Sequence, residues 1–225
     1  MPPAPTNRIK MTTKAKIIGI GQDLSSVYKT VRRTMNAMNE LPYHNFDHVV
    51  DVFLASRRLS ILERVRPDER FLLETAALLH DVIYKVGAAD NEENSAYFAK
   101  RFLPKAGYTA PQIKVIADLI LATKWPQNPR NHLQQVICDA DLDHLGREDF
   151  FEKGERLREE TGRSGSNVTK WYRSQLDFLK SHRYFTKSAR RLRDAGKIKN
   201  IQELERLIQY SIQNSLVPSG GNSNE

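Results

Sequence analysis

Histidines and carboxylates recur in this chain at positions suited to gripping a metal ion. His44 and His48 stand four residues apart in PYHNFDHVVDVF, where an apolar-periodic run begins. His80 and Asp81 come near the end of the densest apolar segment, RPDERFLLETAALLHDVIY. Asp139, Asp141 and Asp143 crowd into CDADLDHLG after another apolar run. A buried helix seldom ends in an imidazole beside a carboxylate unless something partners them. Adjacent helical side chains diverge, so His80 and Asp81 pair poorly with each other. At a helix end, however, both reach a common cation, and this donor pair suits a hard or borderline divalent metal. His48, on the preceding helix, is the best further ligand, because an antiparallel hairpin brings it back to His80. One of the acids at 139–143 completes a His, His-Asp, Asp site drawn from three helices. A zinc-protease reading of His44 and His48 fails, since that chemistry needs a glutamate directly after the first histidine and the residue here is Asn45.

The elements that must position these groups are helical almost throughout. Leu24, Val27, Tyr28, Val31, Met35 and Met38 predict a first helix from about Asp23 to Asn39. A second starts near His44 and carries Val49, Val52, Phe53, Leu59 and Leu62. Pro67 at a first-turn position opens a buried central helix. Asp90 ahead of Glu93 resembles a capping box, and Thr109 before Pro111 and Gln112 marks another start. Pro126 and Pro129 break the chain, and a helix resumes through Leu133, Val136 and Ile137. Polar helical segments follow Gly146, with interruptions predicted at TGRSGSN and near Gly196. Strand signals are nearly absent. The economical reading is an all-α chain: a disordered leader over 1–20, one helical domain over 21–216 and a disordered tail over 217–225.

Apolar residues make up 40% and charged residues 28% of the 225, which fits a globular protein, and no apolar run is long enough to span a bilayer. The leader is Pro-rich and basic without a signal-peptide core, so a cytoplasmic location is the expectation. A transit peptide is the alternative reading, although Arg8 is the leader's only arginine. Cys138 is the sole cysteine, which excludes an intrachain disulfide and a cysteine-based zinc framework. A net charge of +8 favours anionic partners without choosing among them. The Gly-x-Gly of IGIGQDL lacks the third glycine and strand context of a nucleotide loop, and reads as a helix lead-in.

Taken in order, His48, His80-Asp81 and Asp141 resemble the HD superfamily of metal-dependent phosphohydrolases. YHNFDH is also similar to a signature of cyclic-nucleotide phosphodiesterases, which share that helical core. The fuller likeness is to small predicted HD phosphohydrolases, through the segments YHN, HDVIY, NEENSA, ILAT, DADLDHLG and LREE, between residues 43 and about 192. The resemblance implies an HD-type helical bundle with additional C-terminal helices. It makes His48, His80, Asp81 and Asp141 the metal ligands, Asp141 being preferred to Asp139 because it follows an alanine. It makes His44 the proton donor to the leaving oxygen, and Asn45 a residue that supports the ligands or anchors the backbone. The cofactor implied is one divalent ion per chain, among Mn, Mg, Fe, Co, Ni and Zn. The implied reaction is hydrolysis of a phosphomonoester or phosphodiester, in a nucleotide or related metabolite, by metal-activated water.

Glu92 and Lys85 join His44 as catalytic candidates, the first to orient water and the second to meet phosphate. Glu93, Lys124, Arg158 and Arg173 are weaker candidates of the same kinds. Guanosine-tetraphosphate hydrolases of the superfamily carry acids soon after His-Asp; VIYKVG stands here, so their mechanism does not transfer. Two-metal members add histidines before the last Asp, whereas this interval holds only His132, and Trp125 stands near where relatives carry a histidine. The competing function is a non-catalytic HD module that binds metal and nucleotide as a sensor or scaffold. KSARRLRDAGKIK, residues 187–199, admits a third reading as a nucleic-acid patch.

Overall fold

The computed structural model describes residues 22–38, 41–165 and 167–216, and within them helix follows the apolar periodicity with no strand. The leader and the tail expected at the two ends, the Gly-x-Gly segment and Asn39 lie outside the described residues. Within the span expected as one domain, contacts group the chain into two compact units, one ending at Leu142 and the other beginning at Asp143.

The first unit holds α1 (Gln22–Ala37), α2 (Phe46–Leu62), α3 (Pro67–Leu79), α4 (Asn91–Phe102), α5 (Ala110–Ala122) and α6 (His132–Asp141), with a 3-10 turn at Leu103–Ala106. The central helix is α3, which packs against each of the other five. Leu73, Ala76, Ala77, Leu78 and Leu79 are wholly buried, as the density of apolar residues in this segment requires. Between α2 and α3 lies a bidentate ion pair: Arg57 Nε donates to Glu74 Oε1 at 3.0 Å and Nη2 to Oε2 at 2.9 Å. Glu74 is buried, and the guanidinium also sits 4.6 Å from the Phe53 ring centroid, so the planar fork fixes the register of this antiparallel hairpin.

Helix starts differ from the sequence reading where capping chemistry decides them. His44 precedes α2: Asn45 is the cap, its Oδ1 accepting from Asp47 N at 2.9 Å and His48 N at 3.1 Å. Asp90 makes no side-chain capping bond, so the expected box is absent there. Asn91 instead ties down the preceding loop, accepting from Lys85 N and donating to Lys85 O. At α5, Gln112 Oε1 accepts from Thr109 N at 2.9 Å and Oγ1 at 3.1 Å, as the Thr-Pro-Gln pattern predicts. Helix α3 stops at Leu79, leaving His80 and Asp81 just past its end.

The second unit holds a 3-10 turn at Asp143–Gly146, then α7 (Phe150–Glu160), α8 (Val168–Ser181) and α9 (Lys187–Leu216). Gly196 does not interrupt α9. Its missing side chain is a packing requirement, because a Cβ there would lie 2.1 Å from Gly146 O. A Cβ on Gly146 would lie 2.3 Å from Arg193 O. Arg193 donates to both oxygens of Asp143 at 2.7 and 2.8 Å, and Asn200 Nδ2 donates to Leu145 O and Arg147 O at 3.0 Å each. Two backbones therefore touch at paired glycines and are held there by side chains on either side. Among the described residues no helix is long and apolar enough to cross a membrane.

Helix propensity and packing make opposite predictions for Gly196→Ala. Propensity favours alanine by about 1 kcal/mol, whereas overpacking against a backbone oxygen costs roughly 1–3 kcal/mol or more. The expected result is a net loss of stability, read as a lower urea midpoint; an unchanged or raised midpoint would refute the close approach.

Candidate metal centre

Four side chains meet where the α2–α3 hairpin abuts the end of α6. Asn45 fixes the approach to α2, its Nδ2 donating to Leu41 O at 3.1 Å and Pro42 O at 3.0 Å while its Oδ1 caps the helix. As the third residue of α2, His48 is buried with its Nε2 3.3 Å from His80 Nε2, although the two lie 32 residues apart in sequence. Asp81 Oδ2 stands 3.4 Å from His48 Nε2 and 3.2 Å from His80 Nε2. Asp141 Oδ1, from the end of α6, stands 3.6 and 3.5 Å from the same two nitrogens. Ligand atoms of His48, His80 and Asp141 lie mutually within 4.8 Å, and Asp81 Oδ2 joins them through its short distances to both imidazoles.

The donor set fits a divalent cation. His80 Nδ1 donates to Ala77 O at 2.9 Å, which orients the ring and leaves Nε2 as the lone-pair atom in the neutral imidazole. Donor separations of 3.2–3.6 Å are about what bonds of roughly 2.1–2.4 Å at right angles to one another would span. Two carboxylates balance one divalent charge, and four ligands leave positions open on a six-coordinate ion.

Electrostatics within the cluster are correspondingly strong. Burial pushes the His48 and His80 imidazoles down, but hydrogen bonds and charge from Asp81 and Asp141 outweigh it, so both stand above their ordinary value of 6.5, His80 well above. Burial pushes the Asp81 and Asp141 carboxyls up, yet the two imidazoles more than offset it. Asp81 lies well below the usual carboxylate range and Asp141 falls to about 2.

The other predicted residues are placed less centrally. His44 lies outside the ligand group with its ring stacked on Tyr84, centroids 3.6 Å apart at 13°, and its centroid 5.7 Å from that of His48. Asp81, His44, Tyr84, Met35 and Leu41 line a cavity of about 30 Å³, room for a water but not for a nucleotide. Glu92 is half-buried, and its carboxyl is pushed up by burial and by the charge of Asp81, which puts it within electrostatic reach of the cluster. Lys85 has its backbone held by Asn91 and its side chain exposed. Lys124 pairs with Glu93 at 2.5 Å, so these two weaker candidates engage each other. Asp139 is buried but does not join the ligand group. His132 pairs with Glu63 at 3.0 Å on the surface. Cys138 donates to Ala122 O at 3.1 Å and its thiol is pushed up by burial, which keeps it protonated.

In the second unit Asp143 is taken by Arg193 and Arg147, and Arg158 closes a turn by donating to Arg163 O and Ser164 O. Of the basic segment 187–199, Arg193 serves Asp143 and Lys197 donates to His182 O at 2.5 Å, while Lys187, Arg190, Arg191 and Lys199 are exposed. Sequence reasoning missed Tyr84 as the partner of His44, and Asn91 and Ser95 as the clamps of residues 83–85. Three lay inside motifs already singled out, HDVIY and NEENSA, but residue type alone does not announce such roles.

No protein-family model matches the chain, and no curated protein matches it. Solved structures do. The structure of Bacillus subtilis YpgQ in complex with ADP superposes with a TM-score of 0.61 at 16% identity, covering 88% of this chain and 96% of that one. A predicted HD superfamily hydrolase from an uncultured Thermotogales bacterium gives a TM-score of 0.53 at 17% identity, covering 90% and 97%. The chain has an all-α, HD-type fold. At these identities the likeness extends to the fold.

Protons and metal compete for the same lone pairs, which sets a pH dependence. The raised imidazoles stabilise the metal-free fold fully below about pH 6.5, and that contribution is lost as pH rises through their folded values. The depressed carboxyls contribute above about pH 3.8, and their contribution is lost as pH falls through their folded values. Metal uptake near neutrality is therefore expected to release protons, and apparent affinity to climb with pH. Calorimetry in buffers of different ionisation enthalpy checks this; proton-neutral uptake would exclude the imidazoles as ligands.

Proposed function

We propose that the chain is a metal-dependent phosphohydrolase acting on a phosphomonoester or phosphodiester of a small metabolite, a nucleotide being the favoured class. The observation that carries this reading is the convergence of two imidazole nitrogens and two carboxylate oxygens, mostly buried, beside a water-sized cavity walled by His44. The HD-type fold supports it, and so does the chain's excess of cationic residues, which favours anionic substrates.

In this mechanism His48, His80, Asp81 and Asp141 hold one divalent ion. Such an ion supplies Lewis acidity, neutralising charge on a phosphoryl oxygen and making water more acidic. Ala77 O keeps the His80 ring in its ligating orientation. His44, stacked on Tyr84 beside Asp81, delivers a proton to the leaving oxygen. Glu92, its carboxyl pushed up by burial and by the charge of Asp81, orients the attacking water and takes up its proton. Lys85, exposed four residues beyond Asp81, meets the outer phosphate charge. The cavity has room for the attacking water, and the substrate must lie at its mouth. The ADP complex of the Bacillus neighbour favours nucleotides in the substrate panel.

A His80→Ala, Asp81→Ala double variant is expected to lose metal-dependent hydrolysis of nucleotides. His44→Ala is expected to keep its metal, by elemental analysis, while kcat falls by about 10²–10⁴. Hydrolysis that survives the double variant overturns the site. A wild-type protein that binds metal but turns over nothing in a phosphate-ester panel is instead the non-catalytic binding module.

A further inference from the structure

Helix α4 carries two stripes, and only one of them is fully buried. Its inner face is made of Asn91, Ser95, Ala96 and Ala99, all buried. In the second stripe Tyr97, 59% exposed, and Arg101 look outward, while Phe98 and Phe102 are half-buried between them and the inner face. Lys105, on the 3-10 turn that follows, continues it at the next helical spacing. Across from this stripe, α1 contributes Thr30, Arg33 and Thr34. Together these walls enclose a groove of about 520 Å³ in the first unit, with Ile83 also in its lining.

The chemistry of the groove is specific. Three cations, Arg33, Arg101 and Lys105, line it and no acidic side chain does. Arg101 is already ordered: its guanidinium carbon lies 5.8 Å from the Tyr97 centroid, and Nη1 donates to the Tyr97 hydroxyl at 3.0 Å. Phe98 and Phe102 stack with centroids 6.0 Å apart. Cations beside the exposed ring of Tyr97 and the half-buried rings of Phe98 and Phe102 suit a ligand that couples negative charge to a planar ring. The volume falls in the range of small-molecule sites. Residues 1–21, which lead into α1, are an unsuitable occupant, since they carry Arg8, Lys10, Lys14 and Lys16 and no acid.

We propose that this groove is a second ligand site, for a nucleoside phosphate or another anion joined to a planar ring, separate from the His–Asp cluster. It goes beyond the proposed hydrolysis, because none of its lining residues belongs to that cluster.

The test uses ADP as probe on the full chain in EDTA, in both the wild type and a His80→Ala variant, so that the metal centre contributes nothing to the signal. Calorimetry is expected to show saturable binding in both. Arg33→Glu with Lys105→Glu should weaken ADP by at least about tenfold. Tyr97→Ala should weaken ADP while leaving pyrophosphate unchanged. Helicity and melting temperature should hold in these variants, since the altered side chains are exposed, and amide shift changes on titration should centre on residues 30–34 and 94–105. Absent saturation, binding indifferent to the charge reversal, or shift changes elsewhere would each overturn the proposal. Tighter binding of a short RNA strand than of ADP, with steep salt dependence, would overturn it in favour of a strand-binding surface.

Discussion

Two imidazole nitrogens 3.3 Å apart, faced by two carboxylate oxygens and largely withdrawn from water, form an arrangement that is not stable without a cation among them. Protons can fill that role, because the carboxylates hold both imidazoles above their ordinary value and the imidazoles hold both carboxyls below theirs. Much of the first unit is organised around delivering these atoms to one point. The α2–α3 hairpin supplies His48 near one helix start and His80-Asp81 just beyond the other helix's end, and the Arg57–Glu74 fork stops the two helices from sliding. A register shift of a single turn would move His48 about 5.4 Å, beyond reach of His80. The buried ion pair in the hairpin therefore serves geometry more than net stability, which buried pairs supply weakly.

The four clustered side chains all come from the starts or ends of helices. Inside a helix, consecutive side chains point about 100° apart, so His80 and Asp81 could not address the same ion from mid-helix. Helix α3 ends at Leu79 with His80 as its C-cap, still at helical backbone angles, and the bond from Val82 N to Leu79 O at 3.2 Å closes the turn that carries Asp81. The same logic explains Asn45. As cap of α2 it satisfies amide groups at the helix start, and through Leu41 O and Pro42 O it sets the path of the segment bearing His44. Asp141 is likewise the last residue of α6, whereas Asp139, two residues earlier and buried, is not part of the cluster.

Helix content and most helix positions were legible from periodicity because nearly every element has one apolar face, and the clustering of His48, His80, Asp81 and Asp141 was legible because buried imidazoles and carboxylates have few innocent explanations. Boundaries were less so. His44 falls before α2 because the side chain of Asn45 wins the capping contest, and Asp90 loses its box because Asn91 is drawn back to the Lys85 backbone. Gly196 reads as a breaker by propensity, yet the contact that requires it is with Gly146, fifty residues away, and no local pattern can report that. Tyr84 escaped for the same reason: its stacking on His44 depends on a path through the hairpin rather than on spacing within either segment.

Helix α4 shows how one short segment can serve two surfaces without conflict. Its small and polar residues, Asn91, Ser95, Ala96 and Ala99, let it approach α3 and the loop after Asp81 closely, and Ser95 Oγ both donates to Ile83 O and accepts from Ile83 N at 3.1 Å. Bulky aromatics on that face would push the loop, and Asp81 with it, off the ligand point. Of its aromatics, Phe98 and Phe102 are half-buried at the edge of the inner face, while Tyr97 stands on the exposed side with Arg101. A helix whose only task were to brace the loop would carry ordinary polar residues there, since exposed aromatic surface gains nothing from water. The Tyr97 ring beside Arg101 is a cost to the free chain unless a ligand covers it, which is why the outer residues and the inner clamp call for separate explanations.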